Sequence, residues 1–218
     1  MATDKSDLKK NVLSAGKSLA VFAIVASALV GLTFISTETK IEDNEREALL
    51  KSLNALVPVG YYNNDLYKDS IMLDAPALNY RKKPITIYRA RLDDNPVAAI
   101  FSVTAPDGYN GAIHMLVAIR ANETISGVRV VSHKETPGLG DAIEIEKSYW
   151  IKSFDEKSLS NPIEKKWRVK KDGGEFDQLT GATITPRAIV KMTKKSLLYF
   201  MDNKDQIFGN TKNVTSEL

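Results

Sequence analysis

The pattern of apolar and polar positions changes several times along the chain. Residues 18–36 read SLAVFAIVASALVGLTFIS and hold no charge. A helix built from them is apolar on every face. At about 1.5 Å rise per residue the run just crosses a hydrocarbon core of roughly 30 Å. Residues 37–57 then turn amphipathic, with Ile41, Ala48, Leu49, Leu53 and Leu56 in one stripe on an otherwise charged helix. Thr37 or Thr39 is its candidate cap, it can continue directly from the apolar run, and Pro58 and Gly60 stop it.

From Asp69 the period shortens to two. Residues 85–92 alternate, and 97–105, 112–119 and 128–133 follow as further strands, separated by the turn signals DDNP, PDGYNG and ANETISG. Short turns between successive strands predict an antiparallel meander. Residues 146–160 read as a helix or an irregular segment, and 167–170 as a short strand turned by KDGG. Residues 186–201 return to helical spacing, with positions 189, 192, 193, 196, 197 and 200 on one face and Lys191, Lys194 and Lys195 opposite. Thr185 is placed to cap this helix and Pro186 to open it. Residues 203–218 read as a loose polar tail. The predicted fold class is α+β: one amino-terminal transmembrane helix, then a mainly antiparallel sheet packed with helices. The implied parts are a basic tail (1–18), a span (19–35), a juxtamembrane helix (36–60), a folded domain (61–205) and a polar tail (206–218).

Composition narrows the chemistry. The 218 residues are 43% hydrophobic and 26% charged, enough apolar surface for a core and too much for a disordered chain. With no cysteine, the chain itself supplies no disulfide, thiolate metal site or cysteine nucleophile. His114 and His133 are the only histidines, which excludes a histidine-rich metal site. A net charge of +3 is too balanced to point to nucleic acid. The asymmetry around the apolar run is more informative. Lys5, Lys9, Lys10 and Lys17 precede it, while only Lys40 and Arg46 follow within residues 36–50. This places the amino terminus in the cytoplasm and the folded domain outside, in the periplasm of a bacterial cell. A cleaved signal peptide also starts basic and then apolar. The run is longer than a signal core and lacks a small-x-small site, so an uncleaved anchor in the lipid bilayer is favoured.

Two segments carry candidate chemistry. In Phe176-Asp-Gln-Leu-Thr-Gly-Ala-Thr-Ile-Thr-Pro186, the small and hydroxyl residues Thr180, Gly181, Ala182 and Thr183 lie just before a helix start. Free amides there, with a glycine permitting close approach, suit a phosphate or other anion. A plain glycine turn followed by a helix cap gives the same string. In His133-Lys-Glu-Thr-Pro-Gly-Leu-Gly140, Gly138 and Gly140 flank Leu139 after Pro137, making a tight loop at the end of a strand. Such a loop can lie against a flat ring, or be only a turn.

Together the two segments resemble a known family. Asp177-Gln-Leu-Thr-Gly-Ala-Thr183 is similar to the D-x-x-(S/T)-G-A-(T/S) flavinylation motif of periplasmic FMN-binding domains, and Glu135-Thr-Pro-Gly-Leu-Gly140 to their ETPGLG loop. Gly108-Tyr-Asn-Gly111 is similar to the glycine-rich turn that precedes both. With one span and this length, residues 19–205 resemble the family of G subunits of Rnf-type ion-translocating electron-transport complexes, sisters of the C subunit of the sodium-pumping NADH:quinone oxidoreductase. The resemblance implies FMN joined to Thr183 by a phosphoester bond, installed by a separate flavin transferase. It implies that Asp177, Thr180, Gly181, Ala182 and Thr185 shape the attachment site and that Glu135, Thr136, Pro137, Gly138, Leu139 and Gly140 meet the flavin. Asp177 would organise the turn or serve transferase recognition. It further implies electron relay in the bacterial inner membrane alongside the complex's other membrane and redox subunits, with no stand-alone catalysis and no metal. Two other readings share the features: a flavin-binding sensory domain outside any pump, and a structural anchor without cofactor.

Overall fold

The structure, a computed structural model, describes residues 4–78 and 80–209. The chain divides into two compact units, residues 1–49 and 50–218. Helix α1, Asp4–Leu56, runs through the whole of the apolar run and the amphipathic segment after it. No cap interrupts it. The hydroxyls of Thr33, Ser36 and Thr37 instead donate back to the carbonyls of Leu29, Leu32 and Thr33 at 2.8, 2.7 and 2.8 Å. Back-bonding of this kind keeps hydroxyl residues inside a helix, so Thr37 is not the cap that the sequence suggested; Thr39 also lies within the helix. Leu19, Phe22 and Val30 are among the exposed apolar side chains of the run, and α1 is the one helix of the described residues long and apolar enough to cross a membrane. Pro58 disfavours helical backbone in the residue before it, and α1 ends two residues earlier.

The second unit is built on a five-stranded antiparallel meander in the order β1-β2-β3-β4-β5. The strands are β1 (Ser70–Leu73), β2 (Ile85–Leu92), β3 (Asn95–Ala105), β4 (Ile113–Arg120) and β5 (Ile125–Ser132). Strand β1 lies outside the four predicted strands, and β5 starts three residues before its prediction. Helix α2, Ile184–Phe208, covers one face. Phe101 of β3 meets Tyr199 and Phe200 of α2 edge-on, each at 6.3 Å between ring centres. Strands β3 and β4 are buried on both faces, so Ile100 and Leu116 are as enclosed as Phe101 and Val117. Their continuous apolar runs, rather than strict alternation, reflect this.

Two sequence expectations are corrected, and a third, that residues 146–160 are a helix or an irregular segment, is met. Residues 167–170 form no strand. Val169 makes one parallel bridge to Phe176, and a 310 turn follows at Lys170–Asp172. Residues 146–160 hold a 310 helix, Tyr149–Phe154, capped by the Ser148 hydroxyl. The aromatic rings explain this irregular backbone: Phe154 stacks on Phe176 at 4.6 Å, and Trp167 lies 5.0 Å from Phe176. A packed ring cluster holds the segment where a backbone ladder does not. Finally, α2 begins before Thr185 and extends to Phe208, with Ile207 and Phe208 buried, so residues 203–208 are no loose tail. Residues 210–218 of the predicted tail lie outside the described residues.

Candidate functional site

The two motif segments meet. The loop after β5 and the start of α2 line a cleft of about 440 Å³ together with Tyr109. Glu135, Thr136, Leu139 and Gly140 form one wall, and Gly181, Ala182, Thr183, Ile184 and Thr185 the other. The volume falls in the range of about 300–1,000 Å³ typical of small-molecule sites.

Local chemistry shapes each wall. Leu179 to Ala182 is a tight turn closed by the Ala182 amide donating to the Leu179 carbonyl at 3.1 Å. Gly181 sits at its third position with φ +77°, which an L side chain adopts only with strain. A Cβ there would also press within 3.0 Å of Leu139 Cδ2. The facing loop folds back through the Leu139 and Gly140 amides, which donate to the Thr136 carbonyl at 3.2 and 3.0 Å.

Glu135 joins the two walls. Its carboxylate is buried, at 5% exposure. The Thr185 hydroxyl donates to Oε2, and the Asn110 amide donates to Oε1 at 3.0 Å. Asn110 also donates from Nδ2 to the Thr136 hydroxyl at 3.0 Å. One side chain thus braces the Gly108–Gly111 turn, the loop after β5 and the first turn of α2. The fit is close: a Cβ on Gly108 would lie 2.8 Å from Glu135 Oε1, and one on Gly140 2.9 Å from Oε2.

Behind Glu135 runs a charged relay. The Glu135 amide donates to His133 Nδ1 at 2.9 Å, so in the neutral ring Nε2 carries the proton and donates to Glu144 Oε1 at 2.7 Å. Lys147 Nζ bridges Glu144 and Asp141 at 3.0 and 2.7 Å. The Lys147 ammonium holds both carboxyls below their usual range, helped by the Gly138 amide at Asp141 and by His133 at Glu144.

Thr183 occupies the N-cap position of α2, yet its side chain makes no cap hydrogen bond. One of the two usual targets, the amide of the third helical residue, does not exist because that residue is Pro186. A hydroxyl at the positive end of a helix, lining a cleft and not engaged in capping, is suited to carry a phosphoryl group. Thr185, expected to cap, instead sits fully buried in the first turn and serves the Glu135 brace.

Other predicted residues lie off the cleft. Asp177 is ion-paired with Lys170 at 2.6 Å, and its carbonyl accepts from Trp150 Nε1 at 2.7 Å. It fixes the approach to the turn from outside the lining. Thr180, Pro137 and Gly138 do not line the cleft either. Tyr109 and Ile184 do, and neither stands out in the sequence as a site residue. The Gly108–Gly111 string flags the neighbourhood of Tyr109. Nothing but its place after Thr183 marks Ile184. Among the described residues no cluster of histidine and carboxylate groups could hold a metal ion.

Comparison with known proteins bears directly on this cleft. A family model described as an FMN-binding domain matches residues 108–198, which contain every lining residue. A second, the RnfG N-terminal region, matches residues 1–56. The G subunit of the ion-translocating oxidoreductase complex of Pseudoalteromonas atlantica is 43% identical over 211 residues, 97% of this chain and 98% of that protein. This chain belongs to that G-subunit family. The G subunit of Pseudomonas aeruginosa is 45% identical over 208 residues, 95% of each chain. That of Shewanella baltica is 42% identical over 203 residues, 93% of this chain and 95% of its own. Membership of the family sets aside the sensory-domain and bare-anchor readings. The cleft fits FMN on its own terms as well: apolar Tyr109, Leu139 and Ile184 for a ring system, and a helix start with an uncommitted hydroxyl for a phosphate.

Proposed function

We propose that this chain is the membrane-anchored flavoprotein relay of an Rnf-type ion-translocating oxidoreductase complex, with FMN held covalently on Thr183. The observation that carries the reading is Thr183 itself, a cleft-lining N-cap hydroxyl that does no capping, inside a domain matched as FMN-binding. When bound, FMN supplies the redox chemistry. The protein's part is to hold and shelter it. The amides at the start of α2 and the helix dipole favour the single negative charge of a phosphodiester. Leu139, Ile184 and Tyr109 offer apolar surface, and the Glu135 brace sets the spacing of the walls.

Thr183 is an acceptor rather than a self-activated nucleophile. The carboxylate of the lining, Glu135, is already engaged by Thr185 and Asn110. Attachment therefore falls to a separate flavin transferase. Residues 18–36 contain no charge and offer no ion path, so translocation belongs to other subunits. The four lysines before the span favour insertion in the bacterial inner membrane with the flavin domain periplasmic.

The test is intact mass of the chain purified from its native host, with in-gel flavin fluorescence. We expect one FMN-sized increment and fluorescence that survives denaturation, both lost in Thr183→Val while the near-ultraviolet dichroism of the fold persists. Retained fluorescence in Thr183→Val, or its loss in Thr180→Val instead, refutes the assignment.

A further inference from the structure

A second groove borders the cofactor cleft. Its two parts, about 460 and 400 Å³, share Tyr80, Arg81 and His114. Arg81, Lys83 and Lys134 line it, and neither part is lined by an aspartate or glutamate. Among the described residues no carboxylate pairs with these three cations or with Lys82 at the neighbouring turn tip, and all four are exposed. The groove reaches the cofactor cleft through Asn110, which lines it and donates to the Thr136 hydroxyl of the cleft wall.

The backbone of this groove is strained where the charge is densest. Arg81 and Lys82 have φ of +53° and +59° in a two-residue turn closed by the Lys83 amide donating to the Tyr80 carbonyl at 3.1 Å. Positive φ at both central positions favours Asn-Gly or Asp-Gly, and bulky side chains adopt it only at a cost in energy. The β2–β3 turn has the same form but uses Asp93 and Asp94, at φ +50° and +63°, a residue type that tolerates the left-handed region. The chain therefore meets the local rule in one turn and departs from it in the other, and the departure adds Arg81 to an uncompensated groove and Lys82 at its edge. Strain retained at a charged surface points to a ligand rather than to folding.

We infer that the 80–83 turn and Lys134 form a docking site for a carboxylate-rich surface of a partner protein. The inference rests on the reading of this chain as a relay within a complex. A protein fits better than a small anion because the cations are spread over two adjoining open hollows, and because exposed Tyr109 and Leu139 line the neighbouring cofactor cleft. Aromatic and aliphatic surface beside arginine is the composition of protein interfaces. Opposite charge beside a redox site speeds encounter and sets orientation, and salt screens it.

Zero-length carbodiimide crosslinking of the complex in native membranes tests this, since it joins only lysines that touch carboxylates. We expect amide links from Lys82, Lys83 or Lys134 to an aspartate or glutamate of another subunit. A paired variant, Arg81→Asn with Lys82→Gly, restores the residues the turn prefers. It should melt at a higher temperature and keep its flavin fluorescence. Its co-purification with the complex at about 150 mM salt should fall at least fivefold, and Lys83→Glu with Lys134→Glu should do the same without the thermal gain. Unchanged co-purification in both variants, with no intersubunit link from these lysines, overturns the docking site while leaving the relay reading intact. Dependence on phosphatidylglycerol content in place of crosslinks assigns the groove to anionic lipid and overturns it too. Failure of the unmodified chain to co-purify at all overturns both readings.

Discussion

The two ends of α2 are built to opposite rules. At the carboxyl end the last carbonyls are taken: Arg91 Nη2 donates to Phe208 at 2.8 Å, and Arg89 Nη1 reaches Ile207 and Gly209 at 3.3 Å. Both guanidiniums are anchored on Asp69, Arg89 Nε at 2.6 Å and Arg91 Nε at 3.1 Å. Cations here also suit the negative end of the helix dipole. At the amino end Thr183 leaves its cap unmade, Pro186 removes an amide, and the opening turn lines a cleft. One end ties its polar groups into the fold, and at the other the Thr183 hydroxyl makes no cap bond while Thr185 serves the Glu135 brace. The difference locates function more sharply than the helix itself does.

The comparison is broken if damage at the closed end empties the site as readily as damage at the open end. Asp69→Ala should have the largest effect on stability. It takes the carboxylate from two guanidiniums that are only 11% exposed, at a cost of about 3 kcal/mol in denaturant unfolding. The molecules that remain folded should load flavin normally; a loading defect in that folded fraction would erase the distinction between the ends.

Glu135→Ala ranks next, at about 2 kcal/mol for the donors left unpaired. It should lower flavin loading well beyond what its loss of stability explains, because Thr185 and the Gly108–Gly111 turn lose their common anchor. Glu135→Gln retains an acceptor and should recover part of the loading. Equal loading in all three proteins would reduce Glu135 to packing.

The smallest effect sharpens the comparison through pH. Asp141 and Glu144 are held below their usual range chiefly by Lys147. A lowered folded pKa contributes stability that is complete above the unfolded value, about 4, and is lost as pH falls through the folded one. Lys147→Ala should therefore be less stable than the unmodified protein at neutral pH. That gap should close as the pH is lowered beneath about 4. A gap independent of pH, measured by denaturant unfolding across that range, would show that Lys147 acts through packing instead.

Periodicity reveals most of the frame because the elements concerned are long and strongly patterned. The uncharged run of residues 18–36, the strands β2 to β4 and the face of α2 are all visible in this way. What stays hidden depends on contacts between distant residues. Strand β1 is four residues, SIML, too short to show a period. Thr185 reads as a cap until Glu135, fifty positions earlier in the chain, claims its hydroxyl. The short segment around Trp167 has strand composition but is held by stacked rings from residues 154 and 176. Within the site, local spacing marks the glycine loops and the segment of Thr183 as neighbours of a helix start, but not that Asp177 pairs with Lys170 outside the cleft lining.

The order of elements has a consequence for when the site comes into being. Each strand of the meander pairs with the one synthesised just before it, so the sheet can assemble while the chain is still emerging. Thr183 arrives late, and its wall of the cleft, residues 181–185, is made only once the start of α2 packs against the loop after β5. On the proposed reading of Thr183, a chain cut within α2, Ile184–Phe208, keeps its sheet and lacks a finished acceptor. If Thr183 carries FMN as proposed, the flavin is a record that α2 was completed, a stamp that copies cut within it do not receive.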